Sequence, residues 1–289
     1  MSNISLQNLT FKYENQAENL FDQLNLTFDT DWKTGLIGRN GRGKTTLLKI
    51  LAGKVASPYW SKVHYGYFPL TITDDDDYAV NLFEIEPEDQ WQVEMELAKL
   101  ELDSAKLWQP FKTLSGGEQV KIMLAVLFSR DYDYLLLDEP TIYLDLPTKQ
   151  IVKRYLQSQQ QGFILVSHDM DFLNEVVDHI VSLEADGVLV FKGNYDVYVA
   201  ERERLEKNYM MQNQKIKAEI KRLEQSAREK AEWSSQKEAT KFGNPKVKGS
   251  KTRDDKGFLG SRAAKMMKKS KQMEDKINKQ IAAKEQQLV

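Results

Sequence analysis

The stretch that decides the fold is Thr34-Gly35-Leu36-Ile37-Gly38-Arg39-Asn40-Gly41-Arg42-Gly43-Lys44-Thr45-Thr46-Leu47-Leu48. A short apolar run, residues 34–37, enters a glycine-rich turn, and a helical run, residues 45–52, leaves it. Residues 38–45 match G-x-x-x-x-G-K-[ST] in full. Glycines let such a backbone turn tightly and aim N–H groups at phosphate oxygens, and the helix N-terminus adds positive potential. Lys44 is placed to reach β- and γ-phosphates, and the Thr45 hydroxyl to ligate Mg²⁺.

Working outward, the first 200 residues alternate strand-like and helix-like patterns. Ile4, Leu6, Leu9 and Phe11 fit one strand, and Leu24, Leu26 and Phe28 alternate as another. Residues 80–110 are rich in good helix formers and predict a small helical subdomain at about 80–130. Residues 134–137 and 163–166 are short apolar runs of the kind buried in parallel sheets. A helix over 148–158 makes the crossover between them. The predicted class is α/β with a largely parallel sheet.

The run Leu135-Leu136-Leu137-Asp138-Glu139-Pro140 is an apolar strand that ends in two carboxylates. At the carboxyl edge of a sheet Asp138 can hold the metal through water, and Glu139 can polarise an attacking water.

Composition limits the function classes. Of 289 residues, 41% are hydrophobic and 29% charged, which suits a packed core. Cysteine is absent, so disulfide frameworks, thiolate zinc sites and cysteine nucleophiles are excluded. The longest strictly apolar run, residues 122–128, is far shorter than the ~20 residues of a membrane-spanning helix. The N-terminus lacks the basic and apolar regions of a secretory signal. A soluble cytoplasmic protein, with no membrane partner, is the expectation.

The net charge of −2 conceals a division. Residues 201–289 carry 24 Lys and Arg against 13 Asp and Glu, a balance of +11, and the first 200 residues carry 17 against 30. An acidic body with a basic appendage suits a polyanionic partner.

The pattern changes after Gly193-Asn194-Tyr195. Leu205, Tyr209, Ile216, Ile220, Leu223 and Ala227 follow a spacing near 3.5, as do Ala263, Met267, Ser270, Met273, Ile277 and Ile281. Between the two series, residues 241–261 hold four glycines and one proline. An antiparallel helical hairpin is predicted, its first arm ~60 Å long from about residue 200 and its second only ~40 Å. The unequal arms imply a chain that stops before its architecture does.

Three further motifs carry a family resemblance. Leu114-Ser115-Gly116-Gly117-Glu118-Gln119 resembles the signature motif of ATP-binding-cassette (ABC) ATPases. A serine and two glycines at a helix start form a second anion cradle, which in that family clasps the γ-phosphate held on the opposite domain. Ser167-His168-Asp169 resembles the switch-histidine loop, and Leu144-Asp145 the loop that communicates across the dimer. Tyr13 falls where the family stacks an aromatic ring on adenine. His64 and His179 are assigned structural roles.

Two positions depart from the family pattern. In Tyr65-Gly66-Tyr67-Phe68-Pro69-Leu70, Leu70 stands where most members place a glutamine near Mg²⁺. Leucine can neither ligate metal nor orient water, which implies a looser metal site. Ile142-Tyr143 replaces an Asn-His pair usual in the closest subfamily, and this bears on coupling across the ATP sandwich rather than on the chemistry.

With no transmembrane segment and a helical hairpin directly after the cassette, the chain resembles the ABC-F proteins. Its linker is particularly similar to those of members conferring resistance to lincosamides, pleuromutilins and streptogramin A. The resemblance implies ATP and Mg²⁺ as ligands and a nucleotide site of Tyr13, Gly38, Arg39, Asn40, Gly41, Arg42, Gly43, Lys44, Thr45, Thr46, Ser115, Gly116, Gly117, Glu118 and Asp145. Thr45 and Asp138 hold the metal in this scheme, and Glu139 and His168 are catalytic. It also implies binding at the ribosomal E site, with the linker tip reaching 23S rRNA and tRNA near the peptidyl-transferase centre, where bound drug is displaced.

Residues 241–271 support a nucleic-acid partner independently, with 11 Lys and Arg against two Asp. Lys246, Lys248, Lys251, Arg253 and Lys256 are candidate phosphate contacts, and Phe242, Phe258 and Leu259 can stack on or wedge against bases. A second cassette, expected in cis or in trans, is absent, so the chain reads as a half-protein carrying one complete half of each composite ATP site.

Three rival readings are separable. The ATPase subunit of a transporter predicts an ending soon after residue 200, or a regulatory domain. A coiled-coil DNA-repair ATPase places its signature beyond a very long coiled coil, whereas here all motifs fall within residues 38–169. A regulatory ABC-F translation factor without a drug role differs only in the linker.

Overall fold

The computed structural model describes residues 3–14, 18–59, 61–184 and 187–239, together with Lys276 and Lys279. It divides into two units, Met1–Ala200 and Glu201–Val289.

In the first unit, β1 (Asn3–Phe11) and β2 (Phe21–Asp29) form an antiparallel pair. The main sheet is built from β3 (Lys33–Gly38), β4 (Tyr65–Phe68), β5 (Tyr134–Asp138), β6 (Phe163–Val166), β7 (His179–Leu183) and β8 (Val188–Lys192). Their order across the sheet is β4-β5-β6-β3-β7-β8. Every neighbouring pair is parallel except β7 and β8. The largely parallel α/β class expected from the sequence is the class observed.

Alternation along the central strands feeds two cores. Leu135 and Leu137 of β5 and Phe163 and Leu165 of β6 enter the apolar cluster on one face. Tyr134, Leu136, Ile164 and Val166 enter the cluster on the other. Both faces are covered, so these strands read as unbroken apolar runs. The β1–β2 pair and α1 (Lys44–Leu51) cover one face. The other is covered by α2 (Ala79–Leu82), α3 (Gln90–Lys99), α4 (Gly116–Ser129), α5 (Leu146–Ser158) and α6 (Met170–Val176).

Buried polar groups tie these layers together. The Tyr134 hydroxyl donates to the Trp32 carbonyl at 3.0 Å, fixing β5 to the entry of β3. Glu96 on α3 accepts from the Tyr155 hydroxyl of α5 at 2.6 Å, from Gln159 at 3.2 Å and from Lys99 at 2.7 Å. A buried carboxylate this fully partnered holds the helical layer without an unpaired charge.

Three strands escaped the sequence reading: β4, β7 and β8. The first is four residues long and contains a glycine, and β8, at the sheet edge, leaves Leu189, Val190 and Lys192 exposed. In β1 the inward residues step by three from Leu6 to Leu9, which strict alternation does not allow. Asn8 absorbs the slip with φ 51°, and the register against β2 shifts there.

The helix α7 runs from Tyr195 to Ala239, 45 residues or ~68 Å, and starts a turn before the predicted residue 200. Tyr209, Met210 and Met211 are exposed on it. Among the described residues no helix is long and apolar enough to cross a membrane. The predicted loop 241–261 lies outside the described residues, as does the second arm apart from Lys276 and Lys279. Phe242, Lys246, Lys248, Lys251, Arg253, Lys256, Phe258 and Leu259 all fall there.

Candidate functional site

The glycine-rich turn leaves β3 at the centre of the sheet and enters α1. Gly41 and Gly43 hold φ angles of +81° and +92°, values that an L side chain rarely adopts. At Gly43 space is also limiting, because an added Cβ would meet the Phe21 ring at 2.6 Å. The turn closes through the Arg42 N–H donating to the Arg39 carbonyl at 3.2 Å. Lys44 Nζ donates to the Gly38 carbonyl at 2.8 Å, folding the ammonium back over the loop. Arg39, Asn40 and Gly41 are exposed at the loop's outer edge.

Thr45, in the first turn of α1, donates from Oγ1 to Asp138 Oδ1 at 3.1 Å. The second Asp138 oxygen, Oδ2, accepts from the Tyr67 hydroxyl at 3.0 Å. Burial, reinforced by the neighbouring Asp138 charge, pushes the Tyr67 phenol above its usual range, so this hydroxyl is a donor. The next residue, Thr46, shares a 3.0 Å hydrogen bond with the Tyr13 hydroxyl. Tyr13 packs edge-on against Phe11 and keeps part of its ring exposed beside the loop.

Glu139 follows Asp138 with a left-handed backbone, φ 57°, which is strained for a glutamate. Its N–H donates to the Val166 carbonyl at 3.0 Å, and its Oε2 accepts from the His168 backbone N–H at 3.2 Å. Oε1 is buried and makes no hydrogen bond, with His168 Nε2 at 3.4 Å. The imidazole itself is largely exposed. Ser167 is buried and shares a 3.0 Å hydrogen bond with Thr141, so the strand ends of β5 and β6 are joined beneath the two acidic residues. Asp169 caps α6 and pairs with Lys149 Nζ at 2.6 Å, which holds its carboxyl below the usual range.

The remaining predicted residues form a second cluster. Ser115 caps α4 reciprocally with Glu118: the Ser115 N–H and Oγ donate to Glu118 Oε2 at 2.8 and 2.9 Å, and the Glu118 N–H donates back at 3.3 Å. Lys106 lies 2.9 Å from Glu118 and, with the Ser115 N–H, lowers its pKa. Glu118 therefore enters the site as the cap of this helix, its own negative charge lying on the cradle that the sequence assigned to a phosphate. Asp145 caps α5 through the Thr148 N–H at 3.0 Å, and hydrogen bonds from Thr148 lower its pKa. Gly116 and Gly117 lie against Tyr143 and Thr148, which places the signature turn beside the loop that carries Asp145. The start of α5 links this second cluster to the first: the Lys149 N–H donates to the Asp145 carbonyl at 2.9 Å while Lys149 Nζ holds Asp169. Tyr143 and Ile142 are exposed beside it.

Two histidines take structural positions. His64 Nδ1 lies 3.1 Å from the Asp131 carbonyl, and His179 stacks on Trp32 at 3.8 Å and approaches Asp178 at 2.6 Å.

The donor set fits a hard cation with a polyphosphate. Thr45 and Asp138 offer oxygen ligands of the type Mg²⁺ prefers. The glycine turn and Lys44 suit the phosphates, and the orphaned Glu139 Oε1 offers an acceptor to a water. Tyr67, Thr141 and Lys149 were missed by the sequence reading. Only Tyr67 left a signal, a tyrosine whose hydroxyl needs a partner once its strand is buried.

Residues 21–142 match the family model described as ABC transporter. The chain is 31% identical over 236 residues to the ribosome protection protein VmlR of Bacillus subtilis (strain 168), covering 82% of this chain and 41% of that protein. It is 26% identical over 240 residues to ABC transporter F family member 2 of Arabidopsis thaliana, covering 79% and 34%. The chain thus spans less than half the length of either relative. Among solved structures, its fold resembles the dimeric ATP-binding cassette MJ0796 in a post-hydrolysis state with ADP and Pi. The TM-score is 0.54 at 19% identity, over 65% of this chain and 97% of that one. The turn of residues 38–45, the acidic strand end and the parallel-rich sheet agree with these likenesses, and residues 21–142 are those of an ABC transporter ATP-binding domain.

Proposed function

We propose that this chain is the first cassette and interdomain linker of an ABC-F ribosome-protection factor, which hydrolyses ATP and acts with a second cassette in cis or in trans. One juxtaposition carries the reading. The sheet that carries the loop of residues 38–45 and the acidic pair Asp138-Glu139 ends at β8, and a 45-residue charged helix, Tyr195–Ala239, follows it. The 31% identity to a protein named for ribosome protection supports it.

In this reading the backbone N–H groups of residues 39–45 and Lys44 bind the phosphates. Thr45 and Asp138 hold Mg²⁺, which when bound neutralises charge on the phosphate oxygens. Glu139 Oε1 accepts the proton of the attacking water, and His168 completes the same corner of the site. Tyr13 stacks on the adenine. The signature turn of Ser115, Gly116, Gly117 and Glu118, with Asp145 beside it, meets a nucleotide held by the opposing cassette. Closure of two cassettes makes the ATP state a switch. The basic segment 241–271 then meets rRNA and tRNA at the E site and carries the tip towards the peptidyl-transferase centre to displace drug.

The test is expression of the chain, alone and extended by a second cassette, in a drug-susceptible strain. Drug tolerance and ATP-dependent cosedimentation with ribosomes are expected from the extended form. Cosedimentation without tolerance assigns a translation factor with no drug role, and neither result from a folded protein refutes the ribosomal reading.

A further inference from the structure

The metal corner departs from its family pattern at Leu70, which packs against the apolar cluster on the helical face of the sheet. Tyr67 belongs to the opposite face. It pairs in register with Leu136, and Asp138, two residues further along β5, shares the face of Leu136. This alternation brings the Tyr67 hydroxyl diagonally onto the strand end, where it donates to Asp138 Oδ2 at 3.0 Å. Lys54 Nζ lies 4.6 Å above the centre of the same ring and also donates to Thr71 Oγ1 at 3.4 Å, so the ring is held from above as well. Asp138 is thereby gripped at both oxygens, by Thr45 at Oδ1 and by Tyr67 at Oδ2.

We infer that Tyr67 is the positioning residue of the metal site, fixing Asp138 so that its Oδ1 edge and the Thr45 hydroxyl converge on one cation, a task that Leu70 cannot perform. The inference rests on the reading of this corner as a Mg²⁺–ATP site. A carboxylate free to rotate presents its oxygens to a cation only part of the time, and a buried donor on its far oxygen removes that freedom. Hydrogen bonds to ligating groups are typically worth about 10- to 100-fold in metal affinity. The site is then tightened from β4, by a phenol, instead of from the loop that follows β4.

The experiment uses the full 289-residue chain with a fluorescent ATP analogue, titrated in EDTA and across a Mg²⁺ series. Tyr67→Phe keeps the ring, and with it the strand packing and the stacking of Lys54. Tyr65→Phe is the matched control, because the Tyr65 hydroxyl bonds Tyr59 and does not touch Asp138. The expected result is that Tyr67→Phe raises the Mg²⁺ concentration for half-maximal enhancement of binding about 10-fold or more, while affinity in EDTA and the Tyr65→Phe titration stay at wild-type values. An unchanged Mg²⁺ requirement in Tyr67→Phe overturns the inference, as does an equal shift in both variants, which would mark a general packing effect. Wild-type chain that binds the analogue identically with and without Mg²⁺ would instead overturn the underlying metal-site reading.

Discussion

The backbone N–H of His168 donates to Glu139 Oε2 at 3.2 Å, so one carboxylate oxygen is anchored while the other, Oε1, is buried without a hydrogen bond. The two residues lie just past the ends of neighbouring parallel strands, β5 and β6, whose last residues Asp138 and Val166 are paired. An anchored glutamate with one idle oxygen has the geometry of a general base awaiting a water.

Glu139→Gln keeps the shape and the bond from His168 but removes the base. Phosphate release by the chain joined to a second cassette should fall by about 10²- to 10⁴-fold, with ATP affinity preserved. Single-turnover phosphate release beside an equilibrium binding titration checks both halves; unchanged turnover would remove Glu139 from the base role.

Gly43→Ala should destabilise the cassette by about 1–3 kcal/mol. The backbone there sits at φ +92°, and the new methyl group would strike the Phe21 ring. Urea unfolding followed by circular dichroism measures the loss. A variant as stable as the parent would mean that the loop adopts another conformation at little cost.

The Asp169–Lys149 pair should give stability a pH dependence of known sign. The ion pair and the α6 N–H groups depress the Asp169 pKa below its ordinary 3.8. A depressed carboxyl contributes stability that is complete above the unfolded value and disappears as pH falls through the folded one. Asp169→Asn retains a cap and loses the charge, so it should cost about 0.5–1 kcal/mol at pH 7, with the gap closing below about pH 3.8. Urea unfolding at pH 7, 5 and 3.5 follows the trend; a gap that widens in acid contradicts it.

Charge reversal at Lys246, Lys248 and Lys251 should weaken ribosome binding and flatten its salt dependence by about one slope unit for each phosphate no longer neutralised. Cosedimentation across a potassium series reads both effects. Binding indifferent to the three reversals would place the RNA interface elsewhere.

What the sequence revealed was local. Residues 38–45 encode a turn, a helix start and a charge within eight positions, and residues 135–140 encode a buried strand with acids at its tip, so spacing alone exposes them. The Tyr67–Asp138 and Thr141–Ser167 bonds join residues 71 and 26 positions apart, and only strand order brings them together. The strands β7 and β8 were missed for other reasons: β7 is buried throughout between β3 and β8, but His179 and Ser182 break its apolar run, and β8 is an edge strand with Leu189, Val190 and Lys192 exposed, where the apolar signal thins. The inward cap of Ser115 by Glu118 also escaped, although its spacing is that of a capping box, because a serine and two glycines at a helix start suit an outside anion equally well.

The left-handed backbone at Glu139 has a consequence for anyone engineering this protein. Glycine or asparagine would sit there with less conformational penalty than glutamate, so relief of strain and retention of the carboxylate oppose each other at a single position. A screen for heat-tolerant variants, run without selection for turnover, should enrich the very replacements that silence the chemistry.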